Sequence, residues 1–279
     1  MISTDKKFLI IDGYSKESRD QFQAAEMKIA GQLYQEMLHR VAPNAKAEVF
    51  FPSDLNLQPK AELSDYDGVL WTGCNKTVFH MDDPCVIRMR DLTNRFFELG
   101  TPSFGSCWAA QIAVAVAGGE VKAHPRGREI GIARKIHLTE AGKKHPMYQG
   151  KNPVFDAFIS HDDEITKLPP NAQVLAGNSW SQVQAVIVPY KKGVFWAVQY
   201  HPEYDLHEVA RLFIARKEKM LRWGFFENET QLNQMVEDYQ ALAKSPQTKH
   251  LLWKYAIDED VLNTQYRELE FQNWLKAHF

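Results

Sequence analysis

The sequence predicts an α/β domain built on a mostly parallel, doubly wound sheet with flanking helices, followed by a helical C-terminal extension. Three observations carry this. Short apolar runs of strand length alternate with helical patterns as far as Gly119. Glycine and proline stand at the ends of those runs rather than inside them. Beyond Asp205 the pattern is helical only, with charged faces and aromatic anchors at Trp223, Trp253, Tyr255, Phe271 and Trp274.

Taken in order, residues 7–11 are a short buried strand that leaves the core through Asp12-Gly13. Phe22, Ala25, Ile29, Leu33 and Met37 recur at helical spacing, so 18–41 reads as one helix ended by Pro43-Asn44. Strands are expected over 47–51 and 66–71, the latter bounded by Asp67-Gly68 and Gly73. Residues 86–99 are helical, stopped by Gly100. A strand over 102–105 then meets an alanine-rich helix over 108–117 that closes at Gly118-Gly119. Shorter β-like pieces follow over 130–138, 154–159, 173–176, 185–188 and 194–199. The division expected is a catalytic domain over 1–205 and a helical extension over 206–279.

Composition narrows the function. Lysine plus arginine (33) nearly balances aspartate plus glutamate (35), which leaves no electrostatic footprint for nucleic acid or an anionic membrane. No apolar run reaches the ~18 residues of a membrane helix, and residues 8–11 are too short for a signal-peptide core. Cys74, Cys85 and Cys107 form no CxxC pair, so they read as reduced thiols of a cytoplasmic protein, with no metal site and no cofactor. A small molecule or another protein is the expected partner.

The most informative stretch is Phe104-Gly105-Ser106-Cys107-Trp108-Ala109-Ala110-Gln111. A cysteine between the end of a buried strand and the first turn of a helix, with small residues two before and two after, is the pattern of a nucleophile elbow. The helix N-terminus favours the thiolate, and the N–H of Trp108 is free for a developing oxyanion. Read alone, the turn is equally compatible with a buried structural thiol. A nucleophilic thiol needs a base and a group to orient it. Of ten histidines, His201 follows a strongly apolar strand and begins His201-Pro202-Glu203, which brings imidazole and carboxylate to one side of a turn. Without Cys107, an ordinary ion pair is the competing reading.

Together these residues resemble the class I glutamine amidotransferases, above all the amidotransferase half of GMP synthetase. Gly105-Ser-Cys107-Trp-Ala-Ala-Gln111 is similar to the family's G-x-C-x-G-x-Q, and Gln199-Tyr-His201-Pro-Glu203 to its Q-F-H-P-E. Between them, Ser160-His-Asp-Asp-Glu-Ile165 followed by Leu168-Pro169 is similar to S-H-x-D-x-V and L-P. The likeness spans roughly residues 8–205. It implies a flavodoxin-like fold and a Cys107–His201–Glu203 triad that releases ammonia from glutamine through a γ-glutamyl thioester. It further implies backbone oxyanion donors at Cys74 and Trp108, and substrate contacts at Gly73, Gln111, His161 and Asp163. Three positions depart from the pattern: Ala109 replaces a glycine, Cys74 another glycine, and Asn75 a proline.

Residues 206–279 contain no glycine-rich phosphate loop like that of a synthetase. Three functions therefore stay open. One is a glutamine amidotransferase, alone or with a separate synthetase subunit. Another is a hydrolase of other γ-glutamyl compounds, such as γ-glutamyl peptides or glutathione conjugates. The last is a non-catalytic regulatory or binding subunit. The tail reads either as a helical cover packed on the core or as a docking surface.

Overall fold

The computed structural model describes residues 5–279. Strand β1 (Lys7–Ile11) is followed by helices α1 (Lys16–Ala24) and α2 (Ala30–Val41), then β2 (Lys46–Phe50) and β3 (Gly68–Trp71). Helix α3 (Pro84–Leu99), β4 (Ser103–Ser106) and α4 (Trp108–Val116) complete the first half. There follow β5 (Glu120–Ala123), β6 (Glu129–Leu138), the short α5 (Glu140–Lys144), β7 (Val154–His161), β8 (Asp163–Lys167), β9 (Gln173–Gly177), β10 (Ala185–Tyr190) and β11 (Gly193–Val198). The chain ends in α6 (Leu206–Ala215), α7 (Lys217–Arg222), α8 (Glu229–Lys244), α9 (Lys249–Tyr255), α10 (Glu259–Leu262), α11 (Thr264–Arg267) and α12 (Leu269–His278).

Among the described residues, nine strands form one sheet in the order β2-β1-β3-β4-β11-β10-β9-β6-β7. Pairing is parallel from β2 through β11 and antiparallel from there to β7. This is the α/β fold with flanking helices that the strand–helix alternation predicts. The parallel part has its carboxyl ends at one edge, so the turns after β3, β4 and β11 converge there. Strands β5 and β8 make a separate antiparallel ribbon. Neither is marked in the sequence, because each is short and pairs only with the other.

Residues 18–41, expected as one helix, form two. Glu26 adopts a left-handed backbone (φ 57°) and the Met27 N–H donates to Phe22 O at 2.8 Å, closing the end of α1. Glycine usually marks such a stop, and with glutamate in its place the helical spacing runs across the break unannounced. Helix α2 restarts where the Gly31 N–H donates to Asp12 Oδ2 at 2.8 Å. Gly100 does end α3, with φ 80°.

The C-terminal helices are packed on the core. Phe271, Trp274 and Leu275 of α12 are fully buried beside Phe8, Phe104 and Trp196. Burial of each such side chain contributes about 1.5–3 kcal/mol. Helix α6 packs with α8 around Phe213, Leu232 and Tyr239 in a separate apolar cluster. No helix among the described residues is long and apolar enough to cross a membrane.

Candidate active site

Strand β4 feeds α4 through Cys107, whose backbone is strained (φ 58°, ψ −111°). A non-glycine residue held there costs about 1–3 kcal/mol, so the surroundings must enforce it. They do: the Cys107 N–H donates to Val198 O at 2.8 Å, locking the turn to the end of β11. A Cβ on Gly105 would meet Ala109 Cβ at 2.5 Å and Trp71 O at 2.7 Å. Strand and helix thus pass closely enough that only one of the two flanking positions can carry a methyl. Ala109 carries it, and Gly105 must then stay bare.

Two residues beyond β11 the chain turns, and the His201 N–H donates to Phe158 O at 2.8 Å. The His201 ring lies 4.2 Å from that of Tyr204, stacked at 5°. Its Nδ1 is 2.7 Å from Glu203 Oε1, and both side chains are buried. The same carboxylate oxygen accepts from Ser106 Oγ at 2.9 Å, which in turn accepts from Tyr34 OH at 2.8 Å. Glu203 reaches the imidazole through a turn rather than along a strand. The bond to Nδ1 leaves Nε2 as the outward nitrogen, and Nε2 has no hydrogen-bond partner among the described residues.

Burial pulls the imidazole towards its neutral form, but the charge of Glu203 and the neighbouring Cys107 thiol outweigh it, holding the His201 pKa up at about 10. Cys107 Sγ lies 3.4 Å from Ser160 O, to which the thiol donates. Gly73, after β3, backs directly onto both groups: a Cβ there would stand 3.3 Å from His201 Cε1 and 3.7 Å from Cys107 Cβ. Sulfur, imidazole and carboxylate therefore come from turns after β4 and β11 and meet at the carboxyl edge of the sheet.

The remaining expected residues lie around this centre. Trp108 is the first residue of α4, so its N–H has no acceptor within the helix. Cys74 lines the same cleft, its thiol turned to Gly13 O at 2.9 Å, and burial pushes its pKa well up. Gln111 is buried and donates from Nε2 to Asp163 O (3.0 Å) and Gln199 Oε1 (3.2 Å). His161 bonds Asp163 O through Nδ1 (2.8 Å) and Glu129 Oε2 through Nε2 (3.0 Å). Both side chains line the cleft while tied to the protein. Asp163 stands at the cleft too, and burial raises its pKa.

Sequence reasoning missed the supports. Tyr34, Ser106 and Tyr204 hold Glu203 and His201, yet only Ser106 and Tyr204, flanking the motifs, carry any local signal. Glu129, which also accepts from Asn178 Nδ2 (2.9 Å) and Gln184 Nε2 (3.0 Å), anchors His161 from a different strand. Arg267 of α11 is buried and donates from Nε to Pro202 O at 3.2 Å, fastening the His201–Glu203 turn to the C-terminal helices.

A strained cysteine turn between a parallel strand and a helix, beside a paired imidazole and carboxylate, defines an α/β fold of the cysteine-elbow class. The family model for class-I glutamine amidotransferases matches residues 30–218, and the chain belongs to that family of enzymes. A γ-glutamyl-L-1-hydroxyisopropylamide hydrolase of a Pseudomonas species is 30% identical over 275 residues, which cover 96% of this chain and 92% of that protein. A glutamine-hydrolysing GMP synthase of Nitrosomonas eutropha is 32% identical over 156 residues, 54% of this chain but 28% of that protein. The crystal structure of a glutamine amidotransferase from Thermotoga maritima shares the fold, with a TM-score of 0.70 at 16% identity, covering 99% of this chain and 98% of that one.

Proposed function

We propose that this enzyme hydrolyses the side-chain amide of glutamine or of another γ-glutamyl amide through a thioester on Cys107. The observation that carries this is His201 itself, held by Glu203 at 2.7 Å through one nitrogen, the other left without a hydrogen bond, and close enough to the Cys107 thiol for that group to help hold its proton. That nitrogen takes the thiol proton before the attack and keeps it, and the thiolate, paired with the imidazolium, adds to the γ-carbonyl. The oxyanion is stabilised by the N–H groups of Trp108 and Cys74. The C–N bond breaks, and His201 protonates the departing amine. The now neutral His201 then takes a proton from water, the hydroxide adds to the thioester carbonyl, and the C–S bond breaks to release glutamate and restore the thiolate–imidazolium pair. Gly73, Gln111, His161 and Asp163 shape the cleft that receives the γ-glutamyl group. The reaction asks for no cofactor.

The relative aligned over nearly its whole length favours one version of this reading. That relative is named for hydrolysing a γ-glutamyl amide of an organic amine. A γ-glutamyl amide hydrolase is therefore the version supported best. Plain glutamine hydrolysis, with ammonia passed to a separate synthetase subunit, is second, supported by the GMP synthase relatives. Residues 1–205 would form the catalytic unit and 206–279 the extension that braces it. A cytoplasmic location, where the free thiols of Cys74, Cys85 and Cys107 stay reduced, belongs to the same proposal.

A screen of glutamine, γ-glutamyl amides, γ-glutamyl peptides and glutathione, read by ammonia or amine release, ranks these versions. Cys107→Ala is expected to abolish turnover of whichever substrate is best, with the fold retained, because alanine suits the crowded turn. Wild-type turnover in that variant would end the proposal. Failure of 6-diazo-5-oxonorleucine to label Cys107 would instead favour a non-catalytic subunit.

A further inference from the structure

The cleft over Cys107 has one wall that the motifs do not account for. Leu212 of α6, Arg216 between α6 and α7, Lys219 of α7 and Trp223 just after it line this wall, together with Arg128 and Asp162. The charges on this wall are uneven. Arg128 pairs with Asp162 and Lys76 with Asp83, so those two cations are neutralised. Arg216 has only uncharged partners: Gln21 Oε1 at 2.8 Å, Ser18 Oγ at 3.4 Å and the face of Phe22 at 5.0 Å. The Lys219 ammonium forms no hydrogen bond or ion pair among the described residues, and partial burial together with repulsion from Arg216 and Arg128 weakens its hold on its proton. Arg216 and Lys219 thus line the cleft without an ion pair of their own, the nearest carboxylate, Asp162, being taken by Arg128. Arg128 is braced against the ring of Trp223 at 5.2 Å, and Arg216 against Phe22, so the two guanidinium groups are held in place before anything binds. Arg216 is close enough to act on buried Tyr14, which also feels Cys107.

We propose that Arg216 and Lys219 of the C-terminal helices form the receptor for a carboxylate of the substrate. This rests on the γ-glutamyl reading of the same cleft, and it gives the helical extension a part in choosing the substrate. Every γ-glutamyl amide carries an α-carboxylate, and a γ-glutamyl amino acid carries a second on its leaving group. A guanidinium and an ammonium without ion pairs, lining the cleft that holds the reacting sulfur, favour such an anion by charge-assisted hydrogen bonds, and disfavour a cationic amine. Raised salt weakens the capture, since Lys219 is exposed.

The test compares wild type with Lys219→Gln, Lys219→Glu and Arg216→Gln on three compounds: γ-glutamyl-alanine, the γ-glutamyl amide of 2-aminopropan-1-ol, and 4-aminobutyryl-alanine, which lacks the α-carboxylate. Lys219→Gln is expected to raise KM about tenfold, the loss of about 1.4 kcal/mol, with kcat nearly unchanged, and Lys219→Glu to raise it further. If the rise is confined to the two alanine compounds, the carboxylate is that of the leaving group. If it is confined to the two γ-glutamyl compounds, it is the α-carboxylate. KM unchanged for all three in both Lys219 variants overturns the receptor. Lys219 is exposed, and thermal unfolding checks that its variants fold. Calorimetric binding of γ-glutamyl-alanine to Cys107→Ala, with and without Lys219→Gln, separates the two claims. A wild type without hydrolysis but with a tenfold loss of binding in the double variant would sink the thioester reading and keep the receptor.

Discussion

At the scale of single residues, the site depends on how Glu203 divides one oxygen. Oε1 accepts from both His201 and Ser106, so the imidazole is oriented and charged together. Orientation matters less than the proton carrier itself, so Glu203→Gln is expected to lower kcat less than His201→Ala, measured on the best substrate of the screen. A reversed ranking would mean the roles are misassigned. The same pair sets a pH dependence. His201 holds its proton to about 10 in the folded chain against an ordinary value of 6.5. A raised folded pKa means the stabilisation is fully present below pH 6.5 and is lost as pH rises through 10. The stability gap between wild type and Glu203→Gln, followed by urea unfolding, should be widest below pH 6.5 and close towards pH 10. A gap that widens with pH would contradict the assignment.

At the scale of elements, the elbow is a steric device. Gly105 faces Ala109 and the carbonyl of Trp71 at distances no real Cβ tolerates. Gly105→Ala should therefore destabilise by about 3 kcal/mol, at the upper end of ordinary overpacking, and lower activity with it. The double change Gly105→Ala with Ala109→Gly should recover part of that loss in urea unfolding, because one of the two clashing methyls is removed. No recovery would show that Trp71 O, not Ala109, sets the limit. Most elements were legible: β1, α3, β4, α4 and β11 announce themselves by apolar runs with punctuating glycine or by strict helical spacing. What escaped had no such mark. The break between α1 and α2 hides behind a left-handed glutamate, and the β5–β8 ribbon depends on a partner far along the chain.

At the scale of the molecule, the C-terminal helices hold the sheet and the site in one body. Lys151, after the turn that precedes β7, is buried with Glu270 of α12 at 3.0 Å, and Glu270 also accepts from Tyr200 OH at 2.5 Å, next to His201. Burial pulls the Lys151 pKa down against the pull of Glu270, so the ammonium depends on its partner. Glu270→Leu leaves that charge stranded and should cost about 3–5 kcal/mol in chemical denaturation. Lys151→Met with Glu270→Leu should be much milder, since neither charge is then unpaired. Equal losses in the single and double variants would show that the pair is not coupled. With Arg267 on Pro202 O, this cluster ties α11 and α12 to both sides of His201.

The chemistry of the chain was local and therefore readable. A thiol at a strand-to-helix turn, and an imidazole two residues from a carboxylate, are patterns of adjacent residues enforced by backbone geometry. Tertiary folding alone decided the rest: Tyr34 under Ser106, Glu129 under His161, Arg267 on Pro202, and Arg216 and Lys219 in the lining of the cleft. Each of these joins positions far apart along the chain, brought together only when apolar burial closes the helices over the sheet. No spacing rule along a chain encodes a contact of that kind.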